Sequence, residues 1–238
     1  MNKTWLITGT SSGLGRTLVE SALTRGDSVI ATLRKPGALD DLAARHGDKL
    51  KVVLMDLTDV EGMRNAVDKA FTHAGHVDVV VSNAGYGLVG AAEELTDAQI
   101  TRQLATNLTG SIQFIRAVLP YLRQQGNGRI VQVSSEGGQV TYPGFSVYHA
   151  SKWGIEGFVE AVAQEVAGFG IDFILAEPGP TETRFGAGID LAEPMLEYAN
   201  TPAGEVRNVV ASHAFPLKGD TKRTIDALLR VIDMPHPP

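Results

Sequence analysis

Tyr148 and Lys152 stand four residues apart in the stretch VYHASKWG, residues 147–154. If that stretch is helical, positions i and i+4 share one face, and the ammonium stands near the phenol. A free phenol titrates at about pKa 10 and is a poor base at neutral pH. A neighbouring cation favours the phenolate and brings the group toward the operating pH, where acid–base catalysis is most effective. The pair is a candidate proton-transfer device, although the same spacing also occurs on ordinary polar helix faces. A second candidate is TGTSSGLGR, residues 8–16, where Gly9, Gly13 and Gly15 give a G-x-x-x-G-x-G spacing. Glycines between a strand and a helix permit a tight turn, the approach of a pyrophosphate and close helix–strand packing. The helix start adds free N–H donors and a favourable dipole for the anion.

The end of the second strand bears on the choice of dinucleotide. An acidic residue there would hold the ribose 2′-hydroxyl of NAD, whereas an arginine accommodates the 2′-phosphate of NADP. The segment reads VIATLRKPG and has no acid at its end; Arg34 and Lys35 stand there, and Arg16 directly follows the glycine loop. These three cations predict NADP(H) in preference to NAD(H), because guanidinium suits bidentate phosphate binding. The alternative is that they are solvated surface charges.

Elements that would position these residues alternate along the chain. Strands are predicted over 4–9, 28–34, 50–58, 77–85, 129–135 and 171–179. Helices are predicted over 13–26, 37–47, 60–75, 96–124 and 224–232, with one more carrying Tyr148 and Lys152. In the first helix Leu14, Leu18 and Ala22 are spaced four apart, and Gly26 closes it. Alternation of this kind predicts an α/β fold: a doubly wound parallel sheet with helices on both faces, three layers, in a single domain spanning 1–238. Residues 179–219 are rich in Gly, Pro and Ala and have weak periodicity, and read as an irregular lid. The chain stops at MPHPP soon after its last helix, which reads equally as a chain cut short or as a polar tail.

The chain has 238 residues, 43% hydrophobic and 20% charged, with a formal net charge of -6. That balance is globular, and the mild acidity argues against a nucleic-acid surface. The apolar runs are too short to span a bilayer, and the N-terminus lacks the pattern of a secretory signal. Without cysteine there is no thiol catalysis, disulfide or Cys-ligated zinc, which fits a cytoplasmic protein. The six histidines form no close metal-ligand pattern, so no catalytic metal is expected.

Taken in order, TGTSSGLG (8–15), MDLT (55–58), NAG (83–85), ATNLTG (105–110), VSS (133–135), YHASK (148–152) and PGPTET (178–183) resemble the short-chain dehydrogenase/reductase family. The likeness runs to about residue 185 and points to the short, single-domain branch with a TGxxxGxG loop. It implies a Rossmann fold and hydride transfer between a nicotinamide and a carbonyl or secondary alcohol. Tyr148 would be the acid/base, Lys152 would bind the nicotinamide ribose and lower the phenol pKa, and Ser135 would hold the substrate carbonyl. Asn107, in the long helix, would hold a water of the proton relay. The cofactor would meet the loop Gly9, Thr10, Ser11, Ser12, Gly13, Leu14, Gly15 and Arg16. It would also meet Arg34 at the 2′-phosphate, Asp56 and Leu57 at the adenine, Asn83, Ala84 and Gly85 on the adenosine side, Pro178, Gly179 and Thr181, and Thr183 at the nicotinamide carboxamide. The usual NNAG reads SNAG here, with Ser82 first, and no catalytic position is substituted. Apolar residues Tyr142, Phe145, Phe185, Ile189, Leu191, Met195, Leu196 and Tyr198 suggest a medium-sized, largely uncharged substrate, or simply pack the lid. A homodimer or homotetramer is expected through the helices holding 114–122 and 153–166. The competing reading is a regulator that binds NADP on the same fold without turnover.

Overall fold

The computed structural model describes residues 2–183, 185–212 and 214–237. The chain opens with β1 (Thr4–Ile7), α1 (Gly13–Thr24), β2 (Ser28–Leu33), α2 (Asp40–His46), β3 (Leu50–Leu54), α3 (Val60–Ala74) and β4 (Val79–Ser82). It continues with β5 (Leu88–Val89), α4 (Asp97–Leu104), α5 (Ser111–Gln125), β6 (Gly128–Val133), α6 (Ser146–Val166) and β7 (Ile171–Ala176). It closes with β8 (Asp190–Leu191), α7 (Pro202–Ala211) and α8 (Thr221–Ile232). Six strands pair in the order β3-β2-β1-β4-β6-β7, every pair parallel.

Alternation along the strands divides the core into two layers, since successive side chains leave opposite faces. Leu6, Ile30, Val80 and Ile130 face one side and pack with α3, α5 and α6 through Val67, Phe114, Ile115 and Ile155. Trp5, Ile7, Val29, Ala31, Val79 and Val81 face the other and pack with α1, α2 and α8 through Leu18, Leu42 and Leu229. The strand order reverses beside β1, with β2 on one side and β4 on the other. A doubly wound sheet forms its ligand crevice at such a point, outside the carboxyl ends of the strands. No helix among the described residues is long and apolar enough to cross a membrane.

Two regions differ from the expected elements. The helix expected over 96–124 is α4 and α5 joined by one π-helical turn, Ala105–Gly110. There Asn107 turns inward onto the backbone of Tyr86, and Gly110 lies so close to Leu57 that an added Cβ would stand 2.9 Å from the leucine Cβ. π-turns of this kind occur frequently at functional sites.

The region expected to be an irregular lid holds α7 and β8; Arg184 and His213 within it lie outside the described residues. α7 starts where the Thr201 hydroxyl caps Gly204 N and Pro202 opens the first turn. Its apolar periodicity is weak because buried Arg207, instead of an apolar residue, ties it to the body. Glu94, also buried, accepts from Arg207, from Met195 N at 2.9 Å and from Ala91 N at 2.8 Å. Burial opposes the charge, but these donors hold the carboxyl below its usual range. Strand β8 pairs with β5, so the lid is fastened at two points. Glu94→Gln removes the charge at the hub of one of them. Amide hydrogen exchange in α7 should rise on the order of tenfold or more, with β1 and β4 unchanged.

Candidate active site

The carboxyl ends of the strands open into a cavity of about 700 Å³. Its base is the turn from β1 into α1. Gly9 has φ of +68°, and a Cβ there would lie 2.6 Å from the Ala84 Cα. A Cβ on Gly15 would lie 2.4 Å from the Gly9 carbonyl oxygen and 2.5 Å from Asn83 Nδ2. These approaches leave room only for glycine. Asn83 Nδ2 donates to Thr8 O at 2.9 Å and Gly9 O at 3.1 Å, while the Thr8 hydroxyl accepts from Asn83 N and Ala84 N. The NAG segment thus clamps the glycine turn. α1 has no acid in its first turn and no side-chain cap from Ser12, so its first N–H groups remain available to an anion.

Of the residues singled out from sequence, Gly9, Ser11, Ser12, Gly13, Leu14, Gly15, Arg34, Asp56, Leu57, Asn83, Ala84 and Gly85 line this cavity. So do Ser135, Tyr148, Lys152, Pro178, Gly179, Thr181 and Thr183. Thr10 does not; it is buried and its hydroxyl donates to Thr32 O at 3.0 Å. Arg16 does not either. Its guanidinium bonds Glu20 at 3.0 Å, Asp41 at 2.7 Å and the Ala38 carbonyl. With Asp41 on α2 and Glu20 one turn along α1, it is already neutralised, and its pKa is raised, most by Asp41. Lys35 is also outside the lining, so the expected three cations reduce to Arg34. Arg34 acts on Asp56, whose carboxyl is disfavoured by burial but held below its usual range by Thr58 N–H and hydroxyl donors and by the arginine.

At the other end of the cavity, β6 is fastened to α6 by three consecutive residues. The Val133 carbonyl accepts from Lys152 Nζ at 3.2 Å. The Ser134 hydroxyl donates to Glu156. The Ser135 hydroxyl stands near enough to the Tyr148 phenol to favour its charged form. Lys152 Nζ is 5.7 Å from the centroid of the Tyr148 ring, as the four-residue spacing requires. Tyr148 and Lys152 are 8% and 7% exposed. Burial pushes the Tyr148 phenol above its ordinary value, the Ser135 hydrogen bond pulls it down, and the Glu136 carboxylate raises it further. Burial dominates at the phenol, and the Lys152 ammonium is engaged by Val133 O. Burial lowers Lys152 itself to about 8, with Glu156 opposing.

Asn107 is 2% exposed and does not line the cavity; Thr106 does. Its Oδ1 accepts from Tyr86 N at 3.1 Å and its Nδ2 donates to Tyr86 O at 2.8 Å. It therefore holds the segment after NAG.

Three residues of this end, His149, Glu136 and Glu156, were not found from sequence. His149 Nε2 accepts from Tyr142 N at 2.8 Å, and its Nδ1 lies 2.7 Å from Gly137 O. Those partners fix the neutral tautomer with the proton on Nδ1. Glu136 lines the cavity beside Ser135 and accepts from the Tyr142 hydroxyl at 2.8 Å. Tyr142 had been picked out only as an apolar wall, not for that hydroxyl, and Glu156 carried no motif at all. Of the expected apolar lid, Phe185 and Ile189 reach the cavity, joined by Val210, Phe215 and Leu217. Leu196 is 90% exposed, and the Tyr198 hydroxyl donates to Glu93. The Phe185 ring stands 6.1 Å from that of Tyr148.

Residues 3–193 match the short chain dehydrogenase family. The chain belongs to that family. Members bind NAD(P)(H), and this short-chain dehydrogenase is accordingly an oxidoreductase. Oxidoreductase BOA17 of Botryotinia fuckeliana is 44% identical over 197 residues, 82% of this chain and 72% of that protein. A 3-ketodihydrosphingosine reductase of Bacteroides thetaiotaomicron is 36% identical over 188 residues, 79% of this chain and 67% of that one. The crystal structure of a short-chain dehydrogenase from Streptomyces avermitilis has a TM-score of 0.91 and 38% identity, covering 100% of this chain and 86% of that chain.

The Gly15 approach gives a direct test. Gly15→Ala in this short-chain dehydrogenase should weaken both NADPH and NADH about tenfold or more, read by nicotinamide fluorescence, because overpacking of this kind costs about 1–3 kcal/mol.

Proposed function

We propose that this short-chain dehydrogenase is an NADPH-dependent reductase of ketones, acting on a medium-sized, mostly apolar and uncharged substrate. One observation carries the reading: Ser135, Tyr148 and Lys152 meet at one end of the same cavity whose other end is the glycine cradle and Arg34. The cradle suits a dinucleotide, since its bare glycines and the open start of α1 fit a pyrophosphate. A bound reduced nicotinamide supplies the hydride.

The chain's own groups handle the oxygen. Ser135 donates a hydrogen bond to the substrate carbonyl and orients it. Tyr148 gives its proton to that oxygen as negative charge develops there. Reduction requires Tyr148 as the protonated phenol, the form that burial favours. Lys152, buried behind the tyrosine, supplies positive charge that favours the phenolate left after proton transfer. Asn107 fixes the position of Tyr86, which borders the substrate end.

Substrate class follows from the walls. Phe145, Phe185, Ile189, Val210 and Leu217 are apolar, and the Glu136 carboxylate beside Ser135 repels anions. The Bacteroides relative is by name a reductase of a keto compound. Self-association as a homodimer or homotetramer belongs to the same reading. Most apolar side chains of α5 and α6 are spent on the core, and Trp153, 52% exposed, is the large one left for a partner copy.

Three results test these assignments. Tyr148→Phe should lower kcat by about a thousandfold or more while NADPH affinity stays nearly unchanged, because proton transfer and not binding is removed. Arg34→Ala should weaken NADPH about tenfold and leave NADH almost untouched, since only NADPH carries the 2′-phosphate. The reduction rate should be flat near pH 6–7 and fall as pH rises through about 8, where Lys152 loses its charge.

A further inference from the structure

Lys152 is followed one turn further along α6 by Glu156, a carboxylate that is 4% exposed and does not line the cavity. Its Oε1 accepts from the Ser134 hydroxyl, and its Oε2 accepts from Gln139 Nε2 at 2.6 Å. Gln139 also donates to Glu177 at 3.1 Å, so its amide bridges two carboxylates. Gly138 backs directly onto the glutamate: a Cβ there would fall 1.7 Å from Oε1. Ser134 comes from just after β6, Gly138 and Gln139 from the turn that follows, Glu177 from the segment after β7, and Lys152 from α6 itself.

A buried, hydrogen-bonded carboxylate costs free energy that the fold must recover. It touches neither the cavity nor its lid, so binding does not explain it. Its partners do. Ser134 sits between the residue whose carbonyl holds Lys152 and the residue whose hydroxyl meets Tyr148. We propose that Glu156 is a positioning residue of the reductase: through Ser134 it fixes the strand end presenting Ser135 and the Val133 carbonyl, and it provides the negative charge faced by the buried Lys152 ammonium. Consistent with this, Glu156 opposes the effect of burial on Lys152. Burial raises Glu156 itself, the Ser134 and Gln139 hydrogen bonds oppose that rise, Glu177 adds to it, and Lys152 opposes it least.

The activity arm of the test rests on the reductase reading; the spectroscopic arm needs no turnover. Glu156→Gln keeps the shape and removes the charge. Its alkaline limit for ketone reduction should move down by about one pH unit, while the rate at pH 6 and NADPH affinity at pH 6 stay within about twofold of wild type. Glu156→Asp keeps the charge and should return the limit most of the way. A loss of rate equal at all pH values, or an alkaline limit unmoved in Glu156→Gln, would overturn the proposal. In wild-type protein carrying 13C-labelled glutamate, the Glu156 carboxyl carbon, assigned by its loss in Glu156→Asp, should titrate in two steps. The second should coincide with deprotonation of Lys152 at about 8. A single step overturns the proposal even if Glu156→Gln fails to fold.

Discussion

Three consecutive residues at the end of one strand, each held by a different turn of one helix, set the geometry on which this molecule depends. Val133 takes Lys152, Ser134 takes Glu156 and Ser135 takes Tyr148. Ser134 and Ser135 directly follow β6 and both border the cavity, but only Ser134 bonds Glu156, while Ser135 stands beside Tyr148. A slip of one residue in the pairing of β6 with β4 or β7 would displace both serines, so the parallel register of the central sheet is a chemical constraint as well as a packing one.

The cofactor half follows from a different constraint, the contact distance between backbones. β1 and β4 are neighbours at the point where the strand order reverses, and their carboxyl ends carry the glycine turn and the NAG segment. Asn83 spans the two through its bonds to Thr8 and Gly9. This rigid base contrasts with the far wall, where α7 and β8 are joined to the body by the Glu94–Arg207 pair and a two-residue strand pairing. One end of the cavity is built to hold a constant group, and the other to tolerate variation in what enters.

The periodic features were legible in the sequence. Alternating strands and helices, the glycine turn and the four-residue spacing of Tyr148 and Lys152 are local patterns, and each is found where the residues place it. Readings that needed knowledge of neighbours were less secure. Arg16 follows the glycine loop, yet Asp41 on another helix engages it. Lys152 is near Tyr148, yet the phenol rises because burial, invisible in the spacing, dominates. α7 escaped notice because a buried ion pair replaces the apolar stripe by which helices are recognised, although Thr201 followed by Pro202 is a legible start. Glu156 looks like any helix glutamate until Ser134 and Gln139 are seen to close over it.

The reductase reading is tested most directly by mixing the protein with NADPH and a panel of ketones of graded size, each paired with a keto acid of similar bulk, and following loss of reduced nicotinamide. Consumption of NADPH with at least one neutral apolar ketone, and markedly slower reaction with its keto-acid partner, is the predicted result. Tight NADPH binding with no turnover across the panel would contradict it and favour a protein that senses the nucleotide.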